Sequence, residues 1–572
     1  MEDSPGPRAA GEEDLEDAPS PGPVAFYIGD DDGKAPAEQL PESLPDYADR
    51  ALELAGAAGV FQRRYTLALT LPWLLAGMQT MVHVFATMPV DRQRMCHQQV
   101  DHCDVAPLLD SDCAVARGDY EFTAPEHSVV SNFDLVCEAA FYVPLLGTTF
   151  FLGFLIGVTV LGARADSHGR RSAYLWSLFL LQVGALAAVC APTYSVYAAA
   201  RFLTGFGTGG IGMCTYVWNA EVLGPTMRST LVISSNTGFA LGIMLLSPLS
   251  SLLPSWRALS ALLFALGLPY FAIYKLLLES PAWLASKGRA DDVYRVLSRV
   301  AAVNGHRALP RPRLREDSKG ERRESSEVST LEMIRQLTLD PRLSRRFHVM
   351  CFTWFSVSLG YYGISMNVSH LGGSIYLASA LSAFVELPAY LVGAWTVEKA
   401  WAGRRATTGA GLVLGGLCCV LCMAAVGPEG EGPGVALLAL VYTGKFAVAL
   451  GFASLYLYAA ELVPTDMRSR SMGMQSLAAR LGGMLAPIVA DLGKSSQALP
   501  LLLFGVPCTV AGLLLAGLPE TRGQPMASSV NEVPAPGGWP CFLLCTRRYQ
   551  ELDEDSRTSK NQPAPATVGN TL

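Results

Sequence analysis

The chain has 572 residues, 50% hydrophobic and only 16% charged, with a formal net charge of −7. Soluble domains carry roughly 25% charged residues, so the polar groups are too few to clothe a water-soluble protein of this size. The acidic excess sits in tails and loops, so it says little about partners, and no basic surface suited to nucleic acid is read from it.

Residues 1–62 open with MEDSPGPRAAGEEDLEDAPSPGP, which is acidic and Pro-rich and lacks the basic start and apolar core of a secretory signal. They are expected to form an acidic disordered tail. Apolar spans follow at about 66–88, 140–162, 172–191, 195–218, 231–252, 258–278, 347–368, 373–396, 406–426, 435–458, 471–490 and 499–518. Each is near the ~20 residues that cross ~30 Å of hydrocarbon as a helix. The expected fold is an all-α polytopic membrane protein with twelve transmembrane helices. The expected units are a six-helix half at 63–278, a linker at 279–345, a second half at 346–520 and a tail at 521–572.

In chain order, the first landmark is the loop Asp91–Glu138, acid-rich and holding Cys96, Cys103, Cys113 and Cys137. Clustered Lys and Arg at Gly162–Arg171, Lys287–Arg346 and Glu398–Arg405 share one side, which the positive-inside rule makes cytoplasmic, with both tails. The cysteine loop then faces the oxidising side and is expected to hold disulfides; four cysteines allow three pairings, all open here. GFGTGG (Gly205–Gly210) satisfies a dinucleotide-loop pattern, but it lies inside an apolar span without the required strand. Its glycines read instead as sites of close helix approach. The block 313–329 mixes acids and bases and reads as a solvated part of the linker. Cys541 and Cys545 beside a basic patch are a weak signal for reversible acylation.

An internal repeat organises these spans. EVLGPTMRS (Glu221–Ser229) returns as ELVPTDMRS (Glu461–Ser469), GRR at 169–171 returns at 403–405, and ESPAW (Glu279–Trp283) corresponds to PETRG (Pro519–Gly523). The offsets cluster near 240 residues, so six spans are repeated in parallel orientation. Parallel halves around a midplane site are a transporter architecture.

Gly162-x-x-x-Asp166-x-x-Gly169-Arg170-Arg171 resembles the signature loop of the major facilitator superfamily; the second copy, at Glu398, carries an extra residue before Gly403. More narrowly, the chain resembles the organic cation, carnitine and organic anion transporters (solute carrier family 22). The resemblance rests on GVFQRRY (Gly59–Tyr65), NFDLVCE (Asn132–Glu138), ESPAWL, YLYAAELVPTDMRS and PETRG, and spans about 460 residues. Trp354–Tyr390 is most similar to the zwitterion and carnitine branches, whereas the Asp91–Glu138 loop is shorter than is usual there and lacks a glycosylation sequon.

Deep ionisable groups are few: Arg201, Glu386, Lys445 and Arg480. A charge at a helix centre costs at least about 2.5 kcal/mol on insertion scales and marks a functional position by default. Pairing Glu386 with either cation of its half leaves one positive group for a substrate carboxylate. The resemblance implies that the residue before the Gly-Gly of the eleventh span is aspartate in cation-preferring members and arginine in anion and carnitine members; here it is Arg480. Tyr361, Tyr362, Trp354, Tyr216 and Trp218 offer aromatic faces to a substrate amine. The expected substrate site is therefore Arg480, Glu386, Lys445 and these aromatics. The competing role for Arg480 is to hold the tenth and eleventh helices together.

Asp166, Arg170, Arg171, Glu221, Arg228, Glu461 and Arg468 are expected to gate, forming ion pairs that close the inner mouth and break as the halves rock. The expected function is secondary or facilitated transport of small organic ions, foremost zwitterions of the carnitine or betaine type, with a proton or sodium as a possible coupling ion. An organic anion exchanger, an organic cation transporter and a transport-inactive receptor displaying the cysteine loop are the alternatives. No catalytic, metal or cofactor constellation is read from the sequence.

Overall fold

The computed structural model describes residues 43–56, 59–90, 92–94, 107–108, 120–223, 225–274, 277–306, 309–311, 330–340, 343–367, 374–425, 434–464, 467–494, 496, 498–524 and 533; at 92–94, 107–108, 120–121, 225–235, 330–333 and 469 only the backbone is described. Cys96, Cys103, Cys113, Cys541 and Cys545 lie outside these residues, as does the side chain of Arg228.

The helix α1 (Leu44–Leu54) precedes the first membrane passage, α2 (Val60–Ala86). Short strands β1 (Arg92–Arg94), β2 (Pro107–Leu108) and β3 (Tyr120–Phe122) form an antiparallel sheet in the order β2-β1-β3, followed by α3 (Val129–Phe133). The rest of the first half is α4 (Tyr142–His168), α5 (Arg170–Val189), α6 (Tyr194–Val222), α7 (Pro225–Leu252) and the pair α8 (Trp256–Gly267) and α9 (Tyr270–Tyr274), interrupted at Pro269. Connecting helices α10 (Pro281–Ser286), α11 (Ala290–Val303) and α12 (Thr330–Leu339) lead to the second half. That half is α13 (Ser344–Asn367), the pair α14 (Ile375–Phe384) and α15 (Glu386–Thr396), α16 (Gly403–Ala425), α17 (Val435–Glu461), α18 (Arg468–Asp491) and α19 (Ala498–Leu515).

Twelve helical passages result among the described residues, six in each half. Helices dominate because a chain in hydrocarbon must satisfy its backbone hydrogen bonds internally. Eight passages are long and apolar enough to cross a membrane by length and composition alone. The passages α6, α13 and α18 fall short because they carry glycine, serine, asparagine, glutamine or arginine on faces turned toward other helices, whereas α7 is apolar over Asn236–Leu252, where its side chains are described. The tail expected to be disordered through residue 62 is corrected at its end: Leu44–Leu54 is an amphipathic helix with five buried residues.

Within the first half, α4 packs on α6, and α6 on α5. GFGTGG explains both contacts. A Cβ at Gly205 or Gly209 would strike α4 at the carbonyls of Phe150 and Phe154, and one at Gly207 or Gly210 would strike α5 at Leu181 and Ser177. Gly153 and Gly157 return the contact, lying against the carbonyls of Phe202 and Phe206. The motif is a two-sided packing seam of the small-residue kind that brings membrane helices close.

The halves meet where α4 faces α18 and where α7 faces α14, α15 and α17. At the end that bears Cys137, the seam is tied shut. Thr148 Oγ1 donates to Met484 O at 2.9 Å, the Ser247 hydroxyl donates to Tyr376 O, and the rings of Phe85 and Tyr376 stack at 5.9 Å. Cys137 itself is in a disulfide, its partner lying outside the described residues.

Candidate functional site

Pro388 breaks the eighth passage. It has no N–H to give to the carbonyl of Phe384, so the helix is interrupted between α14 and α15. Glu386 sits at that break, 1% exposed, and pairs with Lys445 of α17 at 2.8 Å, which is 0% exposed. The pair is saturated on both sides. Glu386 Oε2 accepts from the hydroxyls of Tyr361 at 2.6 Å and Tyr390 at 2.9 Å. Lys445 Nζ donates to Ser365 Oγ at 2.5 Å and Tyr361 O at 3.1 Å, and lies 3.5 Å from the centre of the Tyr361 ring. Full satisfaction of this kind is what a buried ion pair requires.

Arg480 is thereby left apart. Its guanidinium carbon stands 3.9 Å over the Phe154 ring, which belongs to α4 in the opposite half. The hydroxyls of Tyr362 and Tyr456 lie within its electrostatic reach. Its buried Nε has no hydrogen-bond partner, and no carboxylate pairs with it among the described residues. A cation on a ring face gains about 2 kcal/mol or more when desolvated, but a ring carries no opposite net charge. Arg480 is held, but it is not neutralised.

A cavity of about 40 Å³ lies beside it, lined by Trp73, Asn236 and Phe239 from the first half and by Tyr361, Tyr362, Tyr390, Phe452, Ala453, Tyr456 and Arg480 from the second. That volume has room for about one or two water molecules, so this conformation is constricted around the site and must widen to admit an organic ion.

Of the eight residues expected at the substrate site, Arg480, Tyr361 and Tyr362 line this cavity. Glu386 and Lys445 stand one layer behind, holding Tyr361 and Tyr390. Trp354 also backs the wall: its ring meets Tyr456 edge-on at 4.4 Å, and its Nε1 donates to Gln475 Oε1 at 3.1 Å. Tyr216 reaches across the seam to Tyr456, ring centres 5.0 Å apart. Trp218 is not part of the site. It points into the first half between Tyr65 and Tyr174, both 5.8 Å away, because two positions along a helix turn a side chain about 200° from Tyr216. Trp73, Asn236, Phe239, Tyr390, Phe452 and Tyr456 were not anticipated. The spacing of Phe452 and Tyr456, four apart and on the face of α17 opposite lipid, was the signal available.

At the basic end, each half carries the same corner. Gly169 and Gly403 adopt φ of +96° and +68°, values that side chains rarely tolerate. Just after each, Arg170 and Arg404 reach back into their own half. Arg170 pairs with Glu221 at 2.7 Å and Asp166 at 2.8 Å; Arg404 pairs with Glu461 at 3.2 Å and Glu398 at 3.4 Å. Glu279 accepts from the backbone N–H of Arg170 at 2.9 Å, and Glu520 from that of Arg404 at 2.8 Å, each a carboxylate at a helix N-terminus. Burial pushes the Glu279 carboxyl above its ordinary value, against the N–H groups and Arg170, which favour the charged form. Arg171 lies 4.7 Å over the Tyr274 ring, and Arg468 opens α18 within electrostatic reach of Glu461.

The described ion pairs of Asp166, Arg170, Glu221 and Glu461 join helices of one half and do not bridge the two. Glu279, Arg404, Glu398 and Glu520 belong to the same corners and were missed as members, although the repeat contained them.

Residues 74–530 match the family described as "Sugar (and other) transporter". The solute carrier family 22 member 15-like protein of Xenopus laevis is 30% identical over 504 residues, covering 88% of this chain and 99% of that protein. Solute carrier family 22 member 13 of Homo sapiens is 31% identical over 446 residues, 78% of each chain. Organic cation/carnitine transporter 4 of Arabidopsis thaliana is 31% identical over 486 residues, 82% of this chain and 88% of that one. The partially occluded inward open conformation of the xylose transporter XylE from E. coli aligns with a TM-score of 0.55 at 15% identity, over 81% of this chain and 99% of that chain, and so speaks to the fold. With this fold, these relatives and a cavity lined from both halves, the chain belongs to the solute carrier 22 family of major facilitator transporters.

Proposed function

We propose that this transporter carries small organic zwitterions, of the carnitine or betaine type, by alternating access across the plasma membrane, with the basic end and both termini in the cytoplasm. One observation carries the reading: Glu386 is consumed by Lys445 at 2.8 Å, leaving Arg480 as a cation on the cavity wall without a carboxylate among the described residues. A substrate carboxylate completes that pair. The faces of Tyr362, Phe452 and Tyr456 around the same cavity suit the substrate's ammonium end. The name of the Arabidopsis relative, an organic cation/carnitine transporter, supports the same substrate class. A simple organic anion would use Arg480 without the aromatic faces, and a simple cation would meet a like charge there. A proton or sodium ion is the coupling partner to test.

The test is uptake of a matched pair, a betaine and the amine analogue that lacks its carboxylate. Arg480→Ala is expected to abolish preference for the betaine while the amine is kept or gained. Arg480→Lys restores it only in part, because an ammonium lacks the planar fork that binds a carboxylate through two bonds. Equal loss of both substrates at normal surface abundance would assign Arg480 to the scaffold and overturn the reading.

A further inference from the structure

The helix α1 is not a loose tail. Ser43 caps it by accepting from the N–H of Asp46, and Leu44, Tyr47, Ala48, Ala51 and Leu52 form one buried stripe at helical spacing. The stripe packs on α10 and α11, in a cluster with Trp283, Leu284, Val293, Leu297 and Val300 that is separate from the membrane core. Tyr47, fully buried, donates its hydroxyl to Pro310 O at 2.8 Å.

Asn304, just past the end of α11, closes the arrangement. Its Nδ2 donates to Ala55 O at 2.7 Å, Gly56 O at 3.3 Å and Gln62 Oε1 at 2.9 Å, and its Oδ1 accepts from Phe61 N at 2.8 Å. One amide therefore fixes both the exit of α1 and the entry of α2. Gly59 has no side chain because any Cβ there would overlap this amide.

The three-helix unit reaches the corner of the first half through α10. Trp283 Nε1 donates to Asp166 O at 3.0 Å, the Trp283 ring lies beside Gly169, and Glu279, two residues before α10, holds the N–H of Arg170. We propose that α1 is a clamp: docked on α10 and α11, it presses Trp283 against the Asp166–Arg170 turn and so positions the Arg170–Glu221 ion pair for the transport cycle. The N-terminal segment then acts on turnover through Trp283, about which the substrate cavity is indifferent. The proposal rests on the transport reading only for its uptake arm.

The experiment compares full-length Asn304→Ala and Leu52→Asp with Asp49→Asn, which lies on the exposed face of α1. Hydrogen exchange of the purified protein is expected to quicken at least tenfold along α10, α11 and the 166–171 turn in the first two variants and to stay unchanged in the third. Uptake per surface molecule is expected to fall several-fold in maximal rate, with KM and substrate ranking preserved. If Leu52→Asp does not reach the surface, Asn304→Ala, which deletes one amide, carries the test. Faster exchange in α1 with an undisturbed 166–171 turn would overturn the clamp, and so would a raised KM at an unchanged rate. Failure of every variant and of the native protein to transport any substrate would count against the proposed function alone, since the exchange arm still decides the clamp.

Discussion

The Glu386–Lys445 pair offers the sharpest quantitative test of this structure. Both groups are 1% exposed or less and 2.8 Å apart, so removing one partner strands the other charge in a low-dielectric interior. Breaking such a pair costs about 3–5 kcal/mol. The low end is expected for Glu386→Gln, because Lys445 keeps Ser365 Oγ, Tyr361 O and the Tyr361 ring. A loss of about 3 kcal/mol is a factor of about 150 in the unfolding equilibrium. Lys445→Met leaves a carboxylate with only the hydroxyls of Tyr361 and Tyr390, and is expected to cost as much or more. The double variant removes both charges, and a neutral replacement of a buried pair is often harmless. The two single losses should therefore fail to add, with a coupling of about 3 kcal/mol or more. Reversible unfolding in mixed micelles, titrated with a denaturing detergent, measures all three variants against the native protein. Additive losses, or single losses below about 1 kcal/mol, would mean that the pair is solvated in the working protein and that Glu386 is not consumed by Lys445.

Two further outcomes follow from the corners and the disulfide. Neutralising Asp166 with Asn removes one of the two carboxylates on Arg170; it should lower the maximal uptake rate severalfold while substrate ranking stays fixed, and a changed ranking at an unchanged rate would refute the gating assignment. A thiol reagent that cannot cross membranes should label Cys137 in intact cells only after reduction, whereas ready labelling without reductant, or none in either condition, would contradict the bond or the topology.

Much of this was legible in the sequence because hydrophobic length and repetition are direct consequences of the membrane. Twelve spans and two parallel halves could be counted, and Gly169 and Gly403, needed for left-handed turns, marked equivalent corners. GFGTGG could be read as packing because an apolar span offers no place for a phosphate loop. Arithmetic on the three deep charges of the second half even showed that one cation there must be left over. What the sequence withheld was which cation. That choice depends on the helix break at Pro388, which places Glu386 against Lys445, a contact between residues 59 positions apart. The error at Trp218 had a different origin. Aromatic content says nothing about which side of α6 faces the seam, and only the packing of Tyr65 and Tyr174 decides it. The ordered stripe of α1 was hidden by the acidic, proline-rich residues before it, although its 3–4 spacing was present.

The placement of Arg480 over Phe154 bears on a problem every carrier faces, which is to bind ions without becoming a channel. A bare guanidinium at mid-depth in a membrane is an invitation to chloride, which is far more abundant than any organic substrate. Here the charge rests on a ring supplied by the other half, beside a space of only about 40 Å³, so an arriving anion meets a guanidinium with one face already covered. On the proposed function, a substrate with a carboxylate and a bulky ammonium would displace the ring and fill the room it leaves. As the ring and the arginine belong to opposite halves, any guest that separates them also loosens the seam that the halves must open. Insulation against leak and readiness to move are then two results of one contact.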